Sequence, residues 1–563
     1  MRYRARCLVI VTAASLLAAP AGVGLAADTD GLANAYATAR GRVADQKKAW
    51  QDAQGRAAAR DAKLIQVVIY ETNDIHGHIA PTPPDPARPG DHGSGGAASL
   101  ATLLKRETRP YLWIDSGDVF QGTPEGNLTK GDAVMAVFNR LKLTAMELGN
   151  HDYDYGEANV RRLAASASFP FLGANITSIQ SQSAAGYVKP YIIRDMGAHV
   201  RIGIFGLLTQ SMDTLEFADN IKGLRFDSTV AAARKAVDAL RRKGAGVIIA
   251  ATHQGIEEYD GKSTGIGHGD IDLAKNAPGI DLILGGHTHT AMTRPLMISD
   301  GGRRTMITQT GGMLASVYRI VLSIDPETGA LDHEDGELIA LDPQVYPPDP
   351  DMAREIDAVE AALAKRMDRP IGSAAESMPF PASGSSVGEL AIGDWIADDL
   401  RKAGGAEIGL INTYGIRGGL PQGPLTYGDV YRVLPFENRL ATLKLSGADL
   451  KAIVENSLSA DKVYFQYSGL TIVYDPAASD GARLKSLAVD GVPVDDARLY
   501  SVATMDFVAT VSRSFQTVRK VDLVISPRLV RDLLSLDIER NSPLPLPAAG
   551  RIRTRSSSGR LGE

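Results

Sequence analysis

A chain of 563 residues is too long for one ordinary hydrophobic core, so two or more domains are expected. Hydrophobic residues at 44% and charged residues at 22% are those of a globular protein, and a net charge of −6 with acids and bases interspersed excludes a dedicated nucleic-acid-binding surface. The single cysteine, Cys7, excludes a disulfide framework.

At the N-terminus, Arg2, Arg4 and Arg6 precede an apolar run from Cys7 to Ala19, then small residues through Gly24-Leu25-Ala26-Ala27. This pattern predicts a secretory signal peptide over 1–27 and a periplasmic or secreted protein. Pro20 and Gly22 interrupt a run already shorter than the roughly 20 apolar residues a span needs, so no stable membrane span is expected. Residues 28–63, rich in Ala, Arg, Gln and Asp, read as a solvated helical spacer.

The apolar run Leu64 to Tyr70 predicts a buried strand that delivers Thr72, Asn73, Asp74 and His76 at its end. A carboxylate and an imidazole two residues apart suit Mn, Zn, Fe or Co. A helix (Ala97 to Glu107) then leads to strand Tyr111 to Ile114 and the turn Asp115-Ser116-Gly117-Asp118. Gly117 lets the backbone bend so that a carboxylate can lie between two ions; Asp118 is the better candidate for that bridge, Asp115 the alternative. In GNHDYDYG (Gly149 to Gly156), Asn150 and His151 sit where an amide ligand and an imidazole acid can act on one phosphate. Asp154 can accept the second ring N–H of His151, and Asp152 is expected to cap the next helix.

Further on, strands Val247 to Ala250 and Ile280 to Leu284 precede His253 in ATHQG and His287 and His289 in GGHTHT. Phe169 to Gly173, Val200 to Leu207 and Met306 to Thr310 read as strands, and Asn159 to Ala167 and Thr229 to Lys243 as helices, the alternation of a layered α/β domain. His78, His92, His199, His268 and His333 read as loop or surface residues.

Around Leu341 to Pro350 the composition turns to Asp and Pro, and Ile356, Val359, Leu363 and Met367 recur at helical spacing. The expected organisation is a first domain over 64–343, a junction helix within 344–370, a second domain over 371–548 and a tail over 549–563. In the second domain, Arg417 lies in a Gly-rich loop that can grip phosphate, and Phe436 and Phe507 can stack a flat ring. Taken singly, Arg417 reads equally as a surface arginine and Phe436 as a core residue.

The ordered set NDIHGH, DSGDVFQGTP, ELGNHDYDYG, the histidine of ATHQG and GGHTH resembles the calcineurin-like metallophosphoesterases, and among them the 5′-nucleotidase and UDP-sugar hydrolase branch. The resemblance implies a four-layer α/β/β/α sandwich, a C-terminal α/β substrate domain and a helix joining them. It implies two divalent metal ions, with Asp74, His76 and His289 on one, Asn150, His253 and His287 on the other, and Asp118 bridging. His151 and Asp154 resemble the family's catalytic dyad, and the implied reaction is attack of metal-activated hydroxide on phosphorus.

The same resemblance places Arg417 on phosphate, Phe436 and Phe507 on a base, and Asn438 beside it, with a small-molecule nucleotide as substrate and no nucleic-acid polymer as partner. Three positions depart from the branch: Thr413 and Tyr414 replace glycines, Gly388 stands where many members have a phosphate-gripping arginine, and Arg513 stands near the place of a ribose-binding aspartate. The alternatives within the family are a 2′,3′-cyclic nucleotide phosphodiesterase, a UDP-sugar hydrolase and a thiosulfohydrolase. Outside it, the alternative is an exported binding protein that has lost catalysis.

Overall fold

The computed structural model describes residues 63–84, 92–300, 303–380, 388–459 and 462–554. The expected signal peptide and all but the last residue of the spacer lie outside these residues. Residues from Ile65 onward cluster as one compact unit.

The first domain opens with β1 (Ile65–Thr72), α1 (Gly96–Arg106) and β2 (Tyr111–Asp115), followed by α2 (Asp132–Leu141), β3 (Ala145–Glu147) and α3 (Glu157–Ser166). Short strands β4 (Phe171–Leu172) and β5 (Val188–Lys189) lead to β6 (Tyr191–Asp195), β7 (Arg201–Leu208), α4 (Thr229–Arg242) and β8 (Val247–His253). The domain closes with β9 (Leu282–Leu284), β10 (Leu296–Asp300), β11 (Arg303–Thr308), β12 (Ser316–Ile324) and β13 (Leu331–Ala340).

Two mixed sheets result. One has the order β13-β12-β1-β2-β3-β4-β5 and the other β10-β11-β9-β8-β7-β6. The period-2 alternation of β1 decides the layering. Val67 and Ile69 face inward and share a core with Ile202, Ile204, Ile249 and Ile283 of the second sheet. Val68 and Tyr70 face outward and meet Leu100 and Leu104 of α1 and Val134 and Phe138 of α2. Ala233, Ala236 and Leu240 of α4 close the far side of the second sheet. The layers are therefore helix, sheet, sheet, helix, and each fully buried Leu or Ile adds about 1.5–3 kcal/mol to their cohesion.

Strand β8 is buried along its whole length and pairs in parallel with β7 and β9 on its two sides. It runs three residues past the expected Ala250, so His253 is the last residue of a central strand rather than a loop residue. The expected strand Phe169 to Gly173 shrinks to the two residues of β4, with Pro170 just outside it. Helix α3 begins at Glu157, two residues earlier than expected, where Gly156 at φ +78° turns the chain into it.

Helix α5 (Pro350–Met367) follows β13, capped by the Asp349 side chain with Pro350 at its first position. The second domain contains α6 (Ala391–Gly404), β14 (Ile408–Asn412), α7 (Tyr427–Val433), β15 (Arg439–Ser446), β16 (Phe465–Ser468), β17 (Leu499–Met505), β18 (Val521–Leu529) and α8 (Val530–Asn541). Its main sheet has the order β16-β14-β17-β15-β18. Trp395 and Ile396 of α6 pack with Leu410, Val502 and Leu534 in a core separate from those of the first domain.

Candidate metal centre

Five strands of the first domain deliver polar residues from their C-terminal ends. β1 leads to Asp74 and His76, β2 to Asp118, β3 to Asn150 and His151, β8 ends on His253, and β9 leads to His287 and His289. Parallel pairing of β1 with β2, of β2 with β3, and of β8 with β9 puts the ends of each set at one edge. The local backbone is unusual there. Asp74, His76, Asp118, His287 and His289 all have φ between +49° and +76°, the left-handed region that ordinary side chains avoid. Such conformations cost about 1–3 kcal/mol each and persist only where surrounding structure dictates them, which is characteristic of functional sites.

The loops that impose this geometry pack too closely for side chains at their contact. A Cβ on Gly149 would lie 2.1 Å from Asp118 Oδ1, and one on Gly117, itself at φ +91°, would lie 2.5 Å from the Gly149 nitrogen. Asp152 holds the two loops together, accepting from the backbone N–H groups of Asp118 (3.1 Å), Val119 (3.1 Å) and Gly149 (2.8 Å). This corrects the expected helix-capping role of Asp152, because its carboxylate turns inward toward unpaired amides rather than along the chain. Asp115 is likewise occupied, accepting from the Thr72 hydroxyl (2.6 Å) and the Gly117 N–H (2.9 Å).

The candidate ligands gather in two groups, Asp74 with His76 and His289, and Asp118 with His253 and His287, the donor atoms of each lying within 4.8 Å of one another. His289 Nε2 is 3.2 Å from Asp74 Oδ1, and His253 Nε2 is 3.1 Å from Asp118 Oδ2. Asp118 Oδ2 also lies 3.8 Å from His76 Nε2 of the other group and Asp74 Oδ1 3.8 Å from His253 Nε2, so both carboxylates reach across between the two. Backbone carbonyls fix the ring orientations: His76 Nδ1 pairs with Gln121 O at 2.7 Å and His253 Nδ1 with Ser116 O at 2.7 Å. Each ring then turns Nε2 into the site, where His76 Nε2 meets His289 Nε2 at 3.1 Å. His253 Nε2 and Asn150 Oδ1 are buried without a hydrogen-bond partner. Orphaned buried atoms of this kind carry a desolvation cost that a cation would remove. A donor set of imidazole nitrogens, carboxylates and one amide oxygen fits two divalent transition-metal ions.

Electrostatics point the same way. Burial alone would raise the Asp118 carboxyl, but the imidazoles of His253 and His151 hold it well below the ordinary carboxylate range. Against the opposing effect of burial, the Asp118 and Asp74 carboxylates push His253 up to about 10.

Beside these groups, His151 Nδ1 faces both oxygens of Asp154, at 3.1 and 3.2 Å, and the His151 N–H donates to Asp118 Oδ1 at 2.8 Å. Burial lowers the imidazole from its usual value, so its Nε2 faces the site in a ring that is readily neutral.

The calcineurin-like phosphoesterase family matches residues 67–291, which hold every one of these side chains, and the 5′-nucleotidase C-terminal domain family matches residues 370–520. This chain belongs to the calcineurin-like phosphoesterases of 5′-nucleotidase type. A crystal structure of a 5′-nucleotidase precursor from Thermus thermophilus is similar over 87% of this chain and 99% of its own, at 26% identity and a TM-score of 0.78. Among curated relatives, the snake venom 5′-nucleotidase of Crotalus adamanteus is 27% identical over 80% of this chain and 82% of its own length. Protein UshA of Yersinia enterocolitica is 24% identical over 86% and 92%. Like these enzymes, the chain is a metal-dependent phosphoester hydrolase.

In this phosphoesterase the second domain brings two of the four expected substrate residues to the dyad. Arg417 Nη2 lies 3.4 Å from His151 Nε2, its guanidinium sits 5.2 Å from the centroid of Phe436, and Phe436 lies 5.3 Å from the His151 ring. Phe507 instead meets Phe217 of the first domain edge-on at 5.9 Å, and the Asn438 amide donates to Met505 Sδ at 3.4 Å. Of the remaining histidines, His78 lies half-buried in the loop after His76, and burial together with the Arg417 charge pushes it down to about 4.

Two supporting residues escaped the sequence reading. Arg531 is 1% exposed, stacks its guanidinium 3.9 Å over Tyr431, and donates to the carbonyls of Leu434 (3.2 Å), Pro435 (3.0 Å) and Phe436 (3.3 Å). In sequence it is an arginine at the start of a helix, with nothing to separate it from a solvated one. The second is Glu216, an acid in a loop that Asn220 ties to the distant Asp154.

Proposed function

We propose that this phosphoesterase releases phosphate from nucleoside monophosphates, with Asp74, His76 and His289 holding one divalent ion, Asn150, His253 and His287 the other, and Asp118 shared. The ions, of the Mn, Zn, Co or Fe kind, supply Lewis acidity toward a phosphate oxygen and a water acidic enough to ionise near neutral pH. The protein's own groups do the rest. Asp154 keeps the His151 ring oriented through Nδ1–H, so that Nε2 can take up a proton and, once protonated, donate it to a phosphoryl or leaving oxygen. Arg417, on the far side of that nitrogen, neutralises charge on the phosphate, and Phe436 offers a face to a flat base.

The observation that carries the reading is the meeting of Arg417, Phe436 and His151, because groups suited to phosphate, to a ring and to proton transfer then converge on one point. Phe507 and Asn438 are proposed to line the base side of the same space. Export by the 1–27 signal is part of this reading; among the described residues no helix is long and apolar enough to cross a membrane.

The test is phosphate release from AMP by the chain stripped of metal and resupplied with manganese. Rapid release that depends on added metal is expected. A metal-loaded enzyme that ignores AMP would overturn the nucleotidase reading in favour of 2′,3′-cyclic nucleotides, UDP-sugars or thiosulfate conjugates. That second reading draws on Gly388, where among the described residues a Cβ would touch nothing within 4 Å, and on the exposed Arg513.

A further inference from the structure

The loop after β7 wraps around the turn that carries His151 and Asp154. Asn220 makes the join: its Nδ2 donates to the Asp154 carbonyl at 3.0 Å and to Glu216 Oε1 at 2.9 Å, and its own carbonyl accepts from Glu157 N at 3.0 Å. Glu216 is 3% exposed. Its Oε1 also accepts from the Phe217 N–H at 2.6 Å, whereas Oε2 is buried with no donor in reach. Glu216 faces the carboxyl group of Asp154, and Asn220 Nδ2 ties the two residues together through the Asp154 carbonyl and Glu216 Oε1. Asp154 in turn spends both oxygens on His151 Nδ1. Two ionised carboxylates in that arrangement would repel each other and leave Glu216 Oε2 unsatisfied. A proton on Oε2 satisfies every atom, with Glu216 donating to Asp154 and Asp154 accepting from both sides. Burial raises both carboxyls, Glu216 to about 9 and Asp154 to about 8, so the pair holds a proton near neutral pH, and geometry places it on Glu216 Oε2, the oxygen without a donor, since both Asp154 oxygens face His151 Nδ1.

We propose that Glu216 is a positioning residue of the hydrolytic site, a neutral carboxylic acid whose hydrogen bond fixes Asp154 and, through it, the angle and tautomer of the His151 ring. It touches neither substrate nor metal. The role rests on the reading of His151 and Asp154 as the dyad, and it adds a third member supplied from a separate loop of the first domain. Phe217, the next residue, meets Phe507 of the second domain, so the same loop is seated against both halves of the site.

The test compares Glu216→Ala, Glu216→Gln and His151→Ala in the full, metal-loaded chain, with kcat, KM, bound metal and melting temperature measured for each. Glu216→Ala is expected to lower kcat about 10- to 30-fold with KM and metal content within about twofold of the parent, the scale of lost outer-sphere support. Glu216→Gln keeps an acceptor for Asn220 and Phe217 and an N–H for Asp154, and is expected to restore kcat to within about threefold of the parent. Parent-like kcat in Glu216→Ala, or Glu216→Gln as impaired as the alanine variant, would overturn the proposal; should the alanine variant fold poorly, the glutamine variant alone decides. Parent-like turnover in His151→Ala would overturn the dyad reading itself, a separate result.

Discussion

The candidate metal centre and the substrate-facing loops of the second domain are built to different standards of rigidity. In the first domain five candidate ligands sit in strained left-handed conformations, and backbone carbonyls or N–H groups orient the side chains of Asp74, His76, Asp118 and the neighbouring His253. In the second, Arg417 and Phe436 are half-buried on two separate loops, and the buried Arg531 guanidinium holds three carbonyls of the one that carries Phe436. Ion geometry tolerates errors of only a few tenths of an ångström, whereas a ring and a phosphate can be met by side chains that adjust. Strain is stored where the chemistry is exacting and is absent where specificity is tuned.

Substitutions can break this comparison, beginning with the centre. Asp118→Asn removes a carboxylate that reaches both groups, and turnover is expected to fall by about 10³ with metal lost from the protein, seen by elemental analysis alongside kinetics. Retained turnover with two bound ions would mean the two groups act independently. His151→Ala should cut kcat by about 10² while both ions remain, which separates proton transfer from metal holding.

A smaller effect is expected in the second domain. Arg531→Met leaves the Leu434, Pro435 and Phe436 carbonyls short of a donor, at about 1 kcal/mol each, although Asn127 of the first domain still donates to Pro435 O at 2.8 Å. KM for a nucleotide is expected to rise about tenfold with kcat within about threefold, because the loop loosens while the dyad stands. An unchanged KM would show that the Phe436 loop is held by other contacts.

The smallest expected effect lies far from both regions. Asp399 is 7% exposed with an unpartnered Oδ2, and burial, then Asp537, pushes its carboxyl up to about 7. Its folded-state value is raised, so the native chain holds this proton more tightly than the unfolded chain, and stability falls as pH rises from about 4 to about 7. Asp399→Asn should therefore stabilise the protein by about 2 kcal/mol at pH 8 and hardly at all at pH 4, read by denaturant unfolding at the two values. Equal gains at both pH values would assign the effect to packing.

Legibility in the sequence follows the same divide. Each group of the metal centre comes from a short contiguous stretch at the end of an apolar strand, so Asp74, His76, Asp118, Asn150, His151, His253, His287 and His289 could be picked out before any contact was known. In the structure His289 stands with Asp74 and His76, and His287 with His253 and Asp118. The role of Asp152 was misread because side-chain direction within a tight turn depends on which loop packs against it. Arg531 and Glu216 were passed over for a related reason. Their significance lies in what they touch, and those partners are remote in the chain.

By itself, then, the sequence determined the α/β class, the strand ends that carry chemistry and the residue types suited to two ions and a phosphate, since strand periodicity and ligand spacing are local properties. Tertiary structure alone decided which carboxylates are free and which are spent on backbone amides, that Phe436 stacks toward His151 while Phe507 meets Phe217, and that a buried acid backs Asp154. Those outcomes depend on how two sheets and a second domain close on one another, and burial changes what a carboxyl group or a guanidinium can do.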